Sequence, residues 1–287
     1  MLGRPRIPEA ESFDNRGRRI SYRKFGDGER TLVMIHGLLM DGRMFQRLGR
    51  FLAKEGCRLI TVDMLGHGFS DQPHDMAAYS MTNFGRDVIA LLDHLDIDNA
   101  VIGGTSLGAN VSLEIAALAP ERVRALVVEM PVLEHGIAFA ATVFVPLALA
   151  IRISNRSMAA VAALARRIPR SLFGIDILLD FIRRDPLASL AVLDGITFGR
   201  IAPPADEREQ IMQPALVIGH ESDPLHPFND AAMVCRELPN ARMLQAHTGL
   251  EWRIWPRRLN RELLGFLDEV YSSPFVGDRP AAERHLH

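Results

Sequence analysis

The chain has 287 residues, 48% of them in the hydrophobic set and 24% charged, a globular composition with enough apolar material for one large core. Its formal net charge of -2 excludes long-range attraction to nucleic-acid phosphates, and the arginine-rich runs at 16–19 and 253–261 read as solvated faces. The two cysteines, Cys57 and Cys235, lie too far apart for metal-ligand spacing. They read as buried thiols, with neither a disulfide framework nor a zinc site.

Taken in chain order, residues 1–19 are polar and arginine-rich, without the apolar centre of a secretory signal, so a cytoplasmic location is expected. The turn-forming Asp14-Asn15-Arg16-Gly17 precedes 19–25, which predicts an antiparallel hairpin at a sheet edge. Short apolar runs at 31–35, 58–62, 100–103, 125–129, 215–218 and 242–245 are predicted strands. Amphipathic stretches at 42–54, 82–95, 107–118, 231–238 and 256–270 are predicted helices. Strand and helix in alternation imply a mostly parallel central sheet with helices on both faces.

Between 131 and 209 the alternation stops and helical patterns follow one another. Asp185-Pro186 reads as a helix start, and Met158, Val161, Leu164 and Ile168 would share one helix face. The nearly all-apolar run 137–151 contains Pro146 and falls short of the roughly 20 residues that cross a bilayer. It is read as a buried or substrate-facing helix rather than a membrane insertion. The expected organisation is an α/β core over 1–130 and 210–272, an inserted helical cap over 131–209, and a frayed tail over 273–287.

The strongest chemical signal is Gly104-Thr105-Ser106-Leu107-Gly108, set between a strand pattern and a helix pattern. A G-x-S-x-G in that setting is a nucleophile elbow: small residues allow a strained turn that lifts Ser106 to its apex. A serine hydroxyl needs a base and a group to orient that base. His247 follows the last predicted strand, and Asp223 follows the strand at 215–218. The resulting chain order is Ser106, Asp223, His247. Glu129, at the end of 125–129, is a second possible acid. The oxyanion donors would be the backbone N–H groups of Leu107 and Leu38, the latter in the loop His36-Gly37-Leu38, where glycine permits close approach. His36 itself is expected to organise that loop. Gly37, Met40, Phe139 and Phe144 are the expected substrate contacts.

Together these motifs resemble the α/β-hydrolase fold family. The resemblance rests on Val33-Met34-Ile35-His36-Gly37, the turn from Asp63 to Asp71, the elbow at Ser106, Gly219 with Asp223 and Pro227, and His247 with Phe266-Leu267. It spans about 13–270 apart from the cap. Ala246 departs from the glycine that usually precedes the family's histidine. Serine at position 106 disfavours the aspartate-nucleophile relatives, the epoxide hydrolases and haloalkane dehalogenases. The resemblance implies a cofactor-independent serine hydrolase without a metal, acting on a carboxylic ester or similar acyl compound. The apolar cap suggests an apolar small-molecule substrate, or else simple packing onto the core. A carbon–carbon bond hydrolase or lactonase with the same triad, and a ligand receptor on a hydrolase scaffold, are the rival readings.

Overall fold

Strand β3 (Arg30–Ile35) turns Val33 and Ile35 to one side and Leu32 and Met34 to the other, and all four are buried. A strand apolar on both faces must be covered on both, which is the signature of a parallel sheet between two helical layers. The protein, a computed structural model describing residues 8–168, 183–220, 227–249 and 251–275, is built this way. Its other strands are β1 (Glu11–Asp14), β2 (Arg19–Phe25), β4 (Cys57–Asp63), β5 (Ala100–Thr105), β6 (Val123–Glu129), β7 (Ala215–His220) and β8 (Ala241–Ala246). They form one eight-stranded sheet in the order β1-β2-β4-β3-β5-β6-β7-β8. The β1–β2 and β2–β4 pairs are antiparallel and the rest parallel. The expected edge hairpin is the β1–β2 pair.

Helices α1 (Gln46–Lys54), α2 (Met81–His94) and α3 (Leu107–Leu118) connect the first parallel strands. Between β6 and β7 the described elements are all helices: α4 (Glu134–Ile153), α5 (Asn155–Arg166), α6 (Pro186–Thr197) and the short α7 (Ala205–Arg208). Then come α8 (Phe228–Glu237), the one-turn α9 (Glu251–Ile254) and α10 (Arg257–Ser272). Apolar side chains of α2, α3 and α8 share one core with one sheet face; those of α1 and α10 cover the other. In α10 the buried residues Leu259, Leu263, Phe266, Leu267 and Val270 form the stripe expected from their spacing.

Every expected strand and helix of the core is present, with shifted ends. Strand β5 runs on to Thr105 and β7 to His220, while α8 begins at Phe228, three residues ahead of its predicted start at 231. Asp185 caps α6 by accepting from the Leu187 N–H at 3.0 Å, as Asp185-Pro186 implied. Two expectations are corrected. Cys57 is buried but Cys235 is only partly so. The helix containing 137–151 is formed, yet only 19% of its apolar stretch is buried. It is long and apolar enough to cross a membrane by length and composition alone.

The ends of the β6–β7 insert meet at one side chain. Asn110, fully buried on α3, donates from Nδ2 to the carbonyls of Val132 (2.7 Å) and Ile201 (3.0 Å) and accepts from the Val132 N–H at 3.1 Å. Nearby, buried Asp230 on α8 accepts from the N–H groups of Leu133 (2.7 Å), Gly136 (2.8 Å) and His135 (3.1 Å). Its carboxylate thus satisfies donors at the start of α4 and meets the positive end of that helix.

Candidate active site

Ser106 sits between the end of β5 and the start of α3 with φ 56 and ψ -117, a strained backbone for a residue with a side chain. Its neighbours allow no bulk. A methyl group on Gly104 would lie 2.3 Å from the Gly108 carbonyl carbon, and one on Gly108 would lie 2.1 Å from the Ile35 carbonyl oxygen. The turn is held on both sides, by the Ser106 N–H donating to the Glu129 carbonyl at 2.8 Å and the Asn110 N–H donating to the Ser106 carbonyl at 3.1 Å. Leu107 begins α3, so its N–H belongs to the unsatisfied first turn of a helix.

The loop after β3 stands opposite. A methyl on Gly37 would be 3.7 Å from Ser106 Cβ and 3.5 Å from Met40 Sδ, which puts Gly37 and Met40 beside the elbow. Two buried histidines set this loop. The Met64 N–H donates to His36 Nε2 at 3.0 Å, so Nδ1 carries the proton and donates to the Gly37 carbonyl at 2.8 Å. Likewise the Leu39 N–H donates to His67 Nε2 at 3.1 Å and His67 Nδ1 donates to the Leu65 carbonyl at 2.9 Å. Burial lowers the His36 pKa to about 4, and burial followed by the charge of Arg184 takes His67 well below the ordinary value. Both rings are therefore neutral, with fixed tautomers, and His36 has the loop-organising place expected of it. Arg184, from the insert, donates to the carbonyls of Met40 (2.5 Å) and Gly66 (2.9 Å) and so ties the two loops to each other.

This architecture has a counterpart among known proteins. A family model described as "alpha/beta hydrolase fold" matches residues 30–150. The crystal structure of an enol-lactonase from Burkholderia xenovorans superimposes with a TM-score of 0.72 at 22% identity, covering 90% of this chain and 100% of that one. The chain has the α/β-hydrolase fold. A dihydrolipoyllysine-residue acetyltransferase component of an acetoin cleaving system from Pseudomonas putida is 40% identical over 101 residues, 35% of this chain and 26% of that protein. A 2-hydroxymuconate semialdehyde hydrolase, also from Pseudomonas putida, is 40% identical over 79 residues, 28% of each chain. The match thus spans between a quarter and a third of the length of these two relatives.

On this fold Ser106, the expected nucleophile, stands at the elbow after β5, and His247, the expected base, directly follows β8. His247 is exposed, and its backbone N–H donates to Glu251 at 2.7 Å. Asp223 lies outside the described residues, as does the side chain of Phe139. Phe144 and Leu38 pack in one cluster with Leu39, Ala148 and Leu193, so α4 rests on the loop that carries Leu38.

Glu129, the alternative acid, is fully buried and already engaged. Arg253 grips it with two parallel bonds, Nη1 to Oε1 at 3.0 Å and Nη2 to Oε2 at 2.7 Å. The Thr105 hydroxyl donates to Oε2 and accepts from Arg253 Nη2 at 2.9 Å. Arg253 is thereby corrected from a solvated residue to the partner of a buried carboxylate, its side chain only 18% exposed. Sequence reading missed this pair because basic neighbours made Arg253 look like surface. The available signal was Glu129 itself, since a carboxylate ending an otherwise apolar central strand requires a partner. The bond from Arg253 to Thr105 connects the segment after β8 to the residue preceding Ser106.

Proposed function

We propose that this α/β-hydrolase is a cofactor-independent serine hydrolase of a carboxylic ester or similar acyl compound, working through Ser106, His247 and Asp223. The observation that carries the reading is the left-handed, glycine-flanked backbone of Ser106 at a helix start. Such strain persists only where the surrounding structure holds it, and here it presents one hydroxyl. Ser106 Oγ attacks the carbonyl carbon as His247 takes the hydroxyl proton. The negative oxygen of the tetrahedral intermediate is held by the N–H groups of Leu107 and Leu38. His247 returns the proton to the departing alkoxide, then takes one from water, which attacks the acyl-enzyme and releases the acid and free Ser106. Asp223 orients the imidazole and stabilises its charged form.

Glu129 is unsuited to that orienting role while Arg253 occupies both of its oxygens, which supports Asp223. For proton transfer the His247 ring has to stand within hydrogen-bond reach of Ser106. In this reading the insert from 131 to 209 is a cap, with Gly37, Met40, Phe139 and Phe144 lining the apolar part of the substrate site.

A second reading, carbon–carbon bond hydrolysis of a diketone-like substrate, is favoured by the similarity to the Pseudomonas putida semialdehyde hydrolase. Labelling with a fluorophosphonate probe and turnover of nitrophenyl esters decide the matter. The ester reading expects Ser106 to label and esters to turn over well above ring-cleavage products. Ser106→Ala should lose both labelling and a thousandfold or more of kcat/KM with an unchanged circular dichroism spectrum. A folded Ser106→Ala protein that keeps most of its turnover would defeat the mechanism.

A further inference from the structure

Helix α4 is apolar on more than one side. Its inner residues Phe144, Leu147 and Ala148 pack with Leu38 and Leu39, while Ile137, Val145, Leu149 and Ile153 are exposed, Ile153 to 83%. These four fall on a row of residues spaced by four or eight along the helix and so form one stripe. On the adjoining α5, Val161 and Leu164 are also exposed, by 50% and 65%. Soluble surfaces carry single exposed hydrophobes, but a helix with a mean hydropathy of 2.0 and only 19% of its apolar stretch buried needs a covering partner.

The charged residues of α4 and α5 after the first turn of α4 have one sign. Residues 137–168 contain four arginines, Arg152, Arg156, Arg166 and Arg167, and no aspartate or glutamate. Arg152 pairs with Asp194 at 2.5 Å, while Arg156, Arg166 and Arg167 are exposed on α5 and its C-terminal end, Arg166 also donating to the Arg183 carbonyl at 2.8 Å. A second copy of this chain is a poor occupant, because a two-fold contact would set these arginines against themselves. A full membrane crossing is equally poor: Asp230 holds the first turn of α4 to the core, and Leu38 and Leu39 pack on its inner side.

We propose that the exposed apolar faces of α4 and α5, with Arg156, Arg166 and Arg167, dock this protein on the surface of an anionic phospholipid bilayer. The apolar residues enter the interface and the guanidinium groups meet the phosphates, with α4 lying along the surface. The inference is independent of the catalytic reading, since it rests on a face of α4 that does not line the elbow.

The test is flotation of the full chain with vesicles of phosphatidylcholine, alone or with about 30% phosphatidylglycerol. Binding to the anionic vesicles should exceed binding to the neutral ones by tenfold or more and weaken at high salt. Each arginine at an anionic surface contributes a factor of about five, so Arg156→Glu/Arg167→Glu should weaken binding by at least about twenty-five-fold. Ile153→Glu/Leu164→Glu should abolish it. Circular dichroism and thermal melting of both variants without vesicles should match the parent, which separates lost docking from lost folding. Absence of binding by the parent, equal binding to neutral vesicles, or parent-like binding by either folded variant would overturn the proposal. So would a dimer, seen by light scattering, that Ile153→Glu/Leu164→Glu takes apart.

Discussion

The turn at Ser106 and the outer face of α4 are both exceptions to ordinary protein construction, and they are opposite ones. At the elbow no space is spare: added methyl groups on Gly104 or Gly108 would stand within 2.3 Å of backbone atoms. Around it, buried backbone and ring groups are paired, down to the tautomers of His36 and His67. On α4 large apolar side chains stand exposed, Val145 to 52% and Ile153 to 83%. Rigidity is concentrated where an atom has to be positioned, and unsatisfied apolar surface is concentrated away from it. The two regions touch through the cluster of Leu38, Leu39, Phe144 and Ala148.

Four measurements break or sharpen that contrast. The largest effect is expected at the proposed triad acid, where Asp223→Asn should cut kcat by about three to four powers of ten with little change in thermal stability. Glu129→Gln should do the reverse. It leaves the Arg253 guanidinium without a full counter-charge, costing about 1–3 kcal/mol of stability, while kcat falls less than about tenfold. A severe loss of kcat in Glu129→Gln beside a mild one in Asp223→Asn would reassign the acid to β6.

Gly108→Ala comes next, because its new methyl meets the Ile35 carbonyl at 2.1 Å. A loss of about 1–3 kcal/mol or more is expected in urea unfolding, against less than about 0.5 kcal/mol for Leu149→Ser on the open face of α4. Equal costs would erase the distinction between the two regions.

Acid should loosen the elbow side first. The pKa of His36 falls from 6.5 to about 4 on folding, so the unfolded chain binds the extra proton between those values. Stability from the neutral ring is complete above pH 6.5 and is lost as pH falls toward 4, about 3 kcal/mol over the window. Buried Asp87 works in the opposite sense, its pKa raised to about 6 chiefly by desolvation. Comparing the parent with His36→Gln, in which Asp87 is common to both, isolates the histidine. The stability advantage of the parent should shrink as urea melts are taken from pH 7 to pH 5, and a constant difference would contradict the neutral assignment.

The smallest effect concerns selection. Phe144→Asp should raise KM for long acyl esters several-fold more than for acetate esters, and equal increases would reduce Phe144 to packing.

What could be read from residues alone follows from how locally each feature is encoded. The elbow is five consecutive residues between a strand and a helix, so it was legible locally, whereas Asp223 and His247 were chosen only by the order of the strands they follow. The pairing of Arg253 with Glu129 joins residues 124 apart in sequence, and no local pattern announces it. For α4 the apolar content was plain, but a helix apolar on several sides has no preferred direction in its pattern. Which side is covered depends on Leu38, Leu39 and Leu193, contributed by distant parts of the chain.

The single amide of Asn110 has a further meaning. By bonding Val132 and Ile201 together it makes the start and finish of the β6–β7 insert neighbours, so the sheet experiences the whole excursion as one short bridge. An insert held in this way can be lengthened, shortened or repacked without altering the spacing of β6 and β7. Repacking of its helices need not reach the strands that set the backbone of the elbow, and Asn110 is the clasp that separates the two.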